Sequence, residues 1–339
     1  MPPRPSLLPP ISSSILAHCR AAITARRQDT PIVVDGNRTV RYRSSEKKTE
    51  RHEMALPWTE RPLEPFGVEI GIGLQWPLPD GFEQRLTELF DRHKLILFRN
   101  QQLDEADQVR LLENFGRVLG SHGEYREISS DGALGSGPLT WHSDLAFTEE
   151  PFKIISLHAV AVNDGQSWTD FANGAVAAAA LPSQLKAAIA AREAVTMIAP
   201  IQTHRSVGYD SSTDMPHQVR PVIIPHPRSG EPILYISDMQ TARIVGMDQP
   251  DSDATLSALF AELYRDDRIY RHHWNNGDLV IWDNIALQHA RGDLTGMTPR
   301  RLQRIVVADK SFFDLLPQFK VGDERISAWG SGNKQLVLD

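Results

Sequence analysis

Hydrophobic spacing along the chain changes character near Trp141. Before it, Phe82, Leu86, Leu89 and Phe90 fall at i, i+4, i+7 and i+8, one face of a helix. Leu95 to Phe98 is short and wholly apolar, as in a buried strand. Asp104 is placed to cap a second helix, in which Val109, Leu112 and Phe115 face one way until Gly116 stops it. After Trp141, strand-like runs take over: Ile154 to Val162, Val222 to Ile224, Ile233 to Ile236, Leu279 to Trp282 and Leu302 to Val307. Two helices interrupt them, over Ser183 to Ala194 and Thr255 to Tyr264, the latter with Leu256, Leu259, Phe260 and Leu263 on one face. Many short strands with a few covering helices predict a mainly β sandwich or barrel with flanking helices.

The first 55 residues read differently. Pro2, Pro3, Pro5, Pro9 and Pro10 open them, a short helix is expected over Ser14 to Arg26, and Ile32 to Tyr42 reads as a hairpin turning at Asp35-Gly36-Asn37. A charged run from Ser45 to Glu53 follows as a linker. The expected organisation is therefore an appendage over 1–55, a main domain over 56–315 and a tail over 316–339. No internal repeat is present. Residues 1–28 carry Arg4, Arg20, Arg26, Arg27 and no acid, a composition that loosely resembles an organelle transit peptide. The early prolines oppose a presequence helix, so a plain leader is expected, with organelle targeting as the alternative.

Composition narrows the partners. Of 339 residues, 41% are hydrophobic and 23% charged, within the globular range. A net charge of -7 leaves no dominant basic face for nucleic acid or anionic membrane. No apolar run approaches the ~20 residues that span a bilayer. Cys19 is the single cysteine, which excludes an intrachain disulfide or a thiolate zinc site and fits a reducing cytoplasm.

One constellation suits redox metal chemistry. Iron(II) that must bind O₂ and a chelating cosubstrate needs three protein ligands on one face, and two imidazoles with one carboxylate supply them. Trp141-His142-Ser143-Asp144 offers a His and an Asp at i and i+2, which share a face of an extended strand. A third ligand must come from elsewhere, and His289 lies just beyond the apolar run Leu279 to Trp282. With 12 histidines the His-x-Asp pair alone is a weak signal, and His122-Gly123-Glu124 is a rival pair.

A candidate anion site follows. Arg300 and Arg304 are four apart leading into the apolar strand Ile305 to Val307, so both point to one side while Arg301 points away. Two guanidiniums on such a strand are costly to bury unless carboxylates meet them. An edge strand with exposed arginines is the other reading.

These elements together resemble the taurine dioxygenase (TauD/TfdA) family of 2-oxoglutarate-dependent oxygenases. In order, the likeness comprises Leu95-Ile96-Leu97-Phe98-Arg99-Asn100-Gln101, then Phe115-Gly116, Trp141-His142-Ser143-Asp144, and Thr169 before Ala180-Leu181-Pro182. It continues with His226-Pro227-Arg228-Ser229-Gly230, Gly277-Asp278, Trp282-Asp283-Asn284 and Gln288-His289, and closes with Arg300 and Arg304 at 11 and 15 residues past His289. The resemblance implies a double-stranded β-helix, a jelly-roll core of cupin type. It implies Fe(II) held by His142, Asp144 and His289, with 2-oxoglutarate and O₂ as cosubstrates. Thr169 and Arg300 would hold the distal carboxylate of 2-oxoglutarate. Arg304 would lie at the iron-proximal end, where it serves cosubstrate and substrate, and His122 and Tyr125 would line the substrate pocket.

The chain departs from the family pattern in places. Gly-Gly-Asp-Thr is replaced by Asp164-Gly165-Gln166-Ser167-Trp168-Thr169, Val-Asn by Ile236-Ser237, and Pro138 stands where a polar residue is usual. The loop from His122 to His142 is short and carries Gly132, Gly135 and Gly137, which favours a substrate other than taurine. The expected activity is oxidation of a C–H bond, by default hydroxylation with desaturation or rearrangement open, of a small to medium organic molecule such as a natural-product intermediate. Asp144 argues against a halogenase, in which that position is vacated for chloride. Alternatives are a dioxygenase scavenging sulfonates or aryloxy acids, a non-enzymatic metal- or ligand-binding barrel, and a zinc hydrolase on the same barrel. A homo-oligomer, dimer or tetramer, is expected from the family.

Overall fold

Alternation along the strand Leu279–Asp283 organises the molecule. Val280 and Trp282 face one core, Leu279 and Ile281 another, and all four are inaccessible to solvent. A strand apolar on both faces must be covered on both. In the computed structural model, which describes residues 56–119, 127–129, 136–198 and 216–317, this strand lies at the centre of a seven-stranded sheet. The order is Thr59–Pro62, Val68–Gly71, Leu95–Phe98, Leu279–Asp283, Ile154–Ala161, Arg301–Val307 and Glu127–Ser129. Val68–Gly71 runs parallel to Leu95–Phe98, and the other neighbours are antiparallel. The chain divides between Met54 and Ala55, and the description concerns the second unit. The helix expected over Ser14 to Arg26 and the hairpin over Ile32 to Tyr42 lie outside the described residues.

The outer face of this sheet, through Ile96, Phe98, Ile154, Ile281 and Val307, packs under the helices Phe82–His93 and Glu105–Leu112. Its inner face, through Leu95, Leu97, Ile155, Leu157, Val280 and Trp282, shares a core with Phe171 and Leu287 of a second sheet. That sheet is antiparallel and four-stranded, in the order Ile269–His273, Trp168–Asn173, Leu287–Arg291, Leu139–His142. Two sheets closed over one apolar core, with helices on the outside, form the jelly-roll expected from the sequence. A smaller sheet of Thr241–Ile244, Glu193–Met197 and His217–Pro221 and a hairpin of Ile223–Pro225 with Pro232–Leu234 sit beside the helix Gln249–Leu263. Leu256, Leu259, Phe260 and Leu263 of that helix are buried, as their spacing predicts.

Several boundaries differ from expectation for visible reasons. The helix from Ser183 ends at Ile189, because Ala190 leaves helical geometry and Ala191 turns the chain with φ 55°. Glu193 and Ala194 therefore belong to a strand, whose Val195 and Thr196 favour extended backbone. The helix expected from Thr255 starts at Gln249, where Asp248 accepts a hydrogen bond from Asp251 N–H and Pro250 fits the first turn. The Asp104-capped helix buries Gln108 and Leu111 beside the expected Leu112, while Val109 and Phe115 are half-buried against the same core. Gln108 turns inward because Ser156 Oγ accepts its amide at 2.7 Å. The chain then tightens into a 3₁₀ turn, Glu113–Phe115, which sets Phe115 against Phe90. The run from Val222 breaks at Val222 itself, between two strands. Among the described residues, no helix is long and apolar enough to cross a membrane.

Candidate metal centre

Three side chains converge at the mouth between the sheets. His142 ends the strand Leu139–His142, and His289 lies opposite it on Leu287–Arg291. The two imidazole centroids are 4.2 Å apart. Asp144 does not sit on the strand with His142, as the sequence suggested, because the strand stops and Asp144 opens a turn. The turn achieves what alternation would have done. It is set by Leu145, with φ 58°, and by Asn284, whose side chain accepts from Asp144 N–H at 2.9 Å and donates to Asp144 C=O at 3.0 Å. Gln240 braces Ser143 by donating to its carbonyl at 3.1 Å.

The resulting geometry suits a metal ion. His142 Nε2 and His289 Nε2 lie 3.5 and 3.6 Å from Asp144 Oδ1, and the three donors lie within 4.8 Å of one another. Donors bonded about 2.1 Å from a common ion sit roughly 3–3.5 Å apart, so the residues fit one. His142 Nδ1 lies 2.7 Å from Thr140 C=O, which places the ring proton there and leaves the Nε2 lone pair for a ligand bond. Burial, with His142 alongside, pushes His289 down to about 3, so it is neutral and ligand-competent at neutral pH. For Asp144, burial opposes the charge, but Arg304 and both histidines outweigh it and hold the carboxyl far below its usual range. Asp144 Oδ2 accepts from Arg304 Nη2, so one carboxylate oxygen faces the imidazoles and the other a guanidinium. Arg304 also lies over Phe152, 5.3 Å from the ring centroid.

The other predicted residues that the structure describes are buried. Arg300 and Arg304 are 4% and 8% exposed, while Arg301 is exposed, the sidedness expected of that strand. Burial first, and then Arg291, pushes Arg300 down to about 9. Thr169 is buried on Trp168–Asn173, and its Oγ1 accepts from Trp274 Nε1 at 3.0 Å. Replacement of the family's usual aspartate by Trp168 leaves Thr169 on the inner face, since Trp168 packs outward against Gly292 and Arg271. His122, Tyr125 and the rival pair His122-Gly123-Glu124 lie outside the described residues.

The sequence reading did not single out Arg291, which is 5% exposed and pushed down to about 10 by burial. Its signal was available, two residues past His289 on a strand and therefore on the same face. Trp274, Asn284 and Gln240 were missed as supports for the site. Several motif residues prove to be scaffolding. Asp283 accepts from His226 Nε2 and Arg228 Nη2, both at 2.8 Å, and Asp278 accepts from Arg99 at 2.6 Å.

A jelly-roll with two imidazoles and a carboxylate at its mouth carries the donor set of mononuclear non-haem iron proteins. This chain belongs to the taurine catabolism dioxygenase TauD/TfdA family, whose model matches residues 59–306. An alpha-ketoglutarate-dependent sulfate ester dioxygenase of Pseudomonas putida is 30% identical over 72% of this chain and 86% of its own length. An alpha-ketoglutarate-dependent 2,4-dichlorophenoxyacetate dioxygenase of Cupriavidus pinatubonensis is 26% identical over 73% and 96%. Pentalenolactone F synthase of Streptomyces avermitilis is 24% identical over 75% and 94%. Among solved structures, AAD-2 in complex with Mn(II) and N-oxalylglycine superposes with a TM-score of 0.62 at 26% identity, over 75% of this chain and 98% of that one.

Proposed function

We propose that this protein is an Fe(II)- and 2-oxoglutarate-dependent dioxygenase that oxidises a C–H bond of a small to medium organic substrate, a natural-product intermediate in particular. The observation that carries this reading is the His142, Asp144 and His289 cluster in a barrel of the TauD/TfdA family. Its relatives are named as alpha-ketoglutarate-dependent dioxygenases and as pentalenolactone F synthase. The short glycine-rich loop before His142 favours the natural-product substrate. A second reading, the scavenging of small anionic esters or acids, draws on the sulfate ester relative and on Arg304 beside Asp144.

The bound metal, with 2-oxoglutarate and O₂, supplies the oxidising power, and succinate and CO₂ leave with the oxidised substrate. The chain's own groups orient and shield. His142, Asp144 and His289 would take one face of the ion and leave the other for cosubstrates. Arg304 balances the Asp144 carboxylate, and Asn284 fixes the turn that carries it. Trp282 packs 5.1 Å from the His289 ring, closing one side of the site to water. Arg300 and Thr169 would seat the distal carboxylate, since a buried guanidinium gains most from an anion.

We assign the catalytic domain to 56–315, with 1–55 as an appendage and 316–339 as a tail, and expect a homo-oligomer measurable by light scattering. The function is tested by incubating the protein with Fe(II), ascorbate and 2-oxoglutarate and measuring succinate. A panel of terpenoids, modified amino acids, alkyl sulfates, sulfonates and aryloxy acids should accelerate succinate release with its natural-product members. Acceleration only by small anions would transfer the assignment to the scavenging reading. Absence of 2-oxoglutarate-dependent succinate would refute both.

A further inference from the structure

We propose that Arg291 is a second guanidinium for the distal carboxylate of the 2-oxo acid and so sets which 2-oxo acid the enzyme accepts. This rests on the dioxygenase reading above and concerns a residue outside the set carried by the family resemblance. Arg291 lies two residues past His289, and a rise of about 3.4 Å per residue places it roughly 7 Å further along the strand. That span suits a five-carbon diacid chelated at its other end. In the regular pairing with Trp168–Asn173, His289 faces Phe171 and Arg291 faces Thr169. Lateral neighbours share a face, so Arg291 and Thr169 line the same wall.

Three features make this wall a carboxylate seat. First, the charges of Arg291 and Arg300 act on each other, so two nearly buried guanidiniums share one region. Arg291 Nη2 donates to Gly137 C=O at 2.5 Å. The exposed carboxylate of Asp293 acts on the Arg291 charge as well. The two oxygens of a distal carboxylate bound there can meet two guanidinium forks. Second, Trp274 N–H is a donor only and already points at Thr169 Oγ1. The threonine proton is therefore turned towards another acceptor. Third, Arg291 and Thr169 set donors from two paired strands on one wall at a fixed step past His289, a geometry that measures chain length.

The test compares wild type with Arg291→Gln, which keeps an N–H for Gly137, and Arg291→Lys, which keeps the charge. Anaerobic binding to the Mn(II)-loaded protein is measured by calorimetry for 2-oxoglutarate, 2-oxoadipate and 2-oxopentanoate, the last having five carbons and no distal carboxylate. Thermal unfolding is recorded alongside. Arg291→Gln should weaken 2-oxoglutarate at least tenfold, leave 2-oxopentanoate unchanged and shrink discrimination against 2-oxoadipate, with Arg291→Lys intermediate. If 2-oxoglutarate and 2-oxopentanoate weaken together, or if neither changes, the proposal is overturned and Arg291 merely braces the turn at Gly137. Should Arg291→Gln not fold, Arg291→Lys still decides, because unaltered selectivity among the three acids would refute the role. Wild type that binds no 2-oxoglutarate would instead defeat the functional reading itself.

Discussion

Asn284 closes a two-way hydrogen-bonded clasp on the backbone of Asp144, accepting its N–H and donating to its C=O across 140 residues of chain. The same amide donates to Phe152 C=O at 2.8 Å. The carboxylate that would complete the metal site is thus aimed by a residue that never touches the metal.

Asn284→Ala should therefore act on both fold and metal. Loss of these buried bonds should cost about 2–4 kcal/mol in denaturant unfolding. Metal affinity should fall roughly 10- to 100-fold, as for other groups that orient a ligand. Loss of stability with unaltered metal affinity would show that the turn holds Asp144 without the clasp.

Removal of the ligand itself should be more severe. Asp144→Ala is expected to abolish metal binding and turnover, and it also deprives Arg304 of its counter-charge. His158→Ala provides the control, since His158 lies in the core beside Gln101 C=O at 3.3 Å and is absent from the cluster. Its metal affinity, measured by calorimetry, should remain close to that of wild type.

Arg300→Ala should raise the 2-oxoglutarate requirement with little change in metal affinity. A buried charge-assisted hydrogen bond is worth about 1.5–3 kcal/mol, or roughly 10- to 150-fold in apparent affinity. Titration of succinate formation against 2-oxoglutarate reads this directly, and an unchanged requirement would remove Arg300 from the cosubstrate site.

Asp283 should confer an acid-sensitive component of stability. His226 Nδ1 accepts from the N–H groups of Arg228 and Ser229, which assigns the ring proton to Nε2 facing Asp283. Burial disfavours the Asp283 charge, but His226 and Arg228 outweigh it and lower its pKa. A carboxyl depressed on folding stabilises fully above its unfolded value of about 3.9, and that stability drains away as pH falls below it. Thermal stability should thus fall below about pH 4 in wild type. Asp283→Asn should be less stable by about 3 kcal/mol at pH 7 and show a flatter acid limb. An equally steep acid limb in both proteins would place the sensitive carboxyl elsewhere.

Much of the site was legible because its chemistry is tied to residue type and strand parity. The Arg300 and Arg304 sidedness follows from a period of two, and the buried faces of Phe82–His93 and Gln249–Leu263 follow from a period of 3.6. Less legible were features decided by tertiary contacts. Asp144 was expected on a strand with His142, yet a positive φ at Leu145 and the distant Asn284 place it. Gln108 broke its helix's apolar pattern because Ser156, from another strand, accepts its amide. The helix Gly174–Ala180, rich in alanine, shows no amphipathic contrast and was not foreseen, although Asn173 caps it through Ala175 and Val176 N–H.

Equilibrium binding of Fe(II) under anaerobic conditions tests the central claim most directly. One ion per chain should bind wild type, bind more tightly when 2-oxoglutarate is present, and fail to bind His142→Ala, Asp144→Ala or His289→Ala. Binding that survives all three substitutions, or that ignores 2-oxoglutarate, would contradict this account.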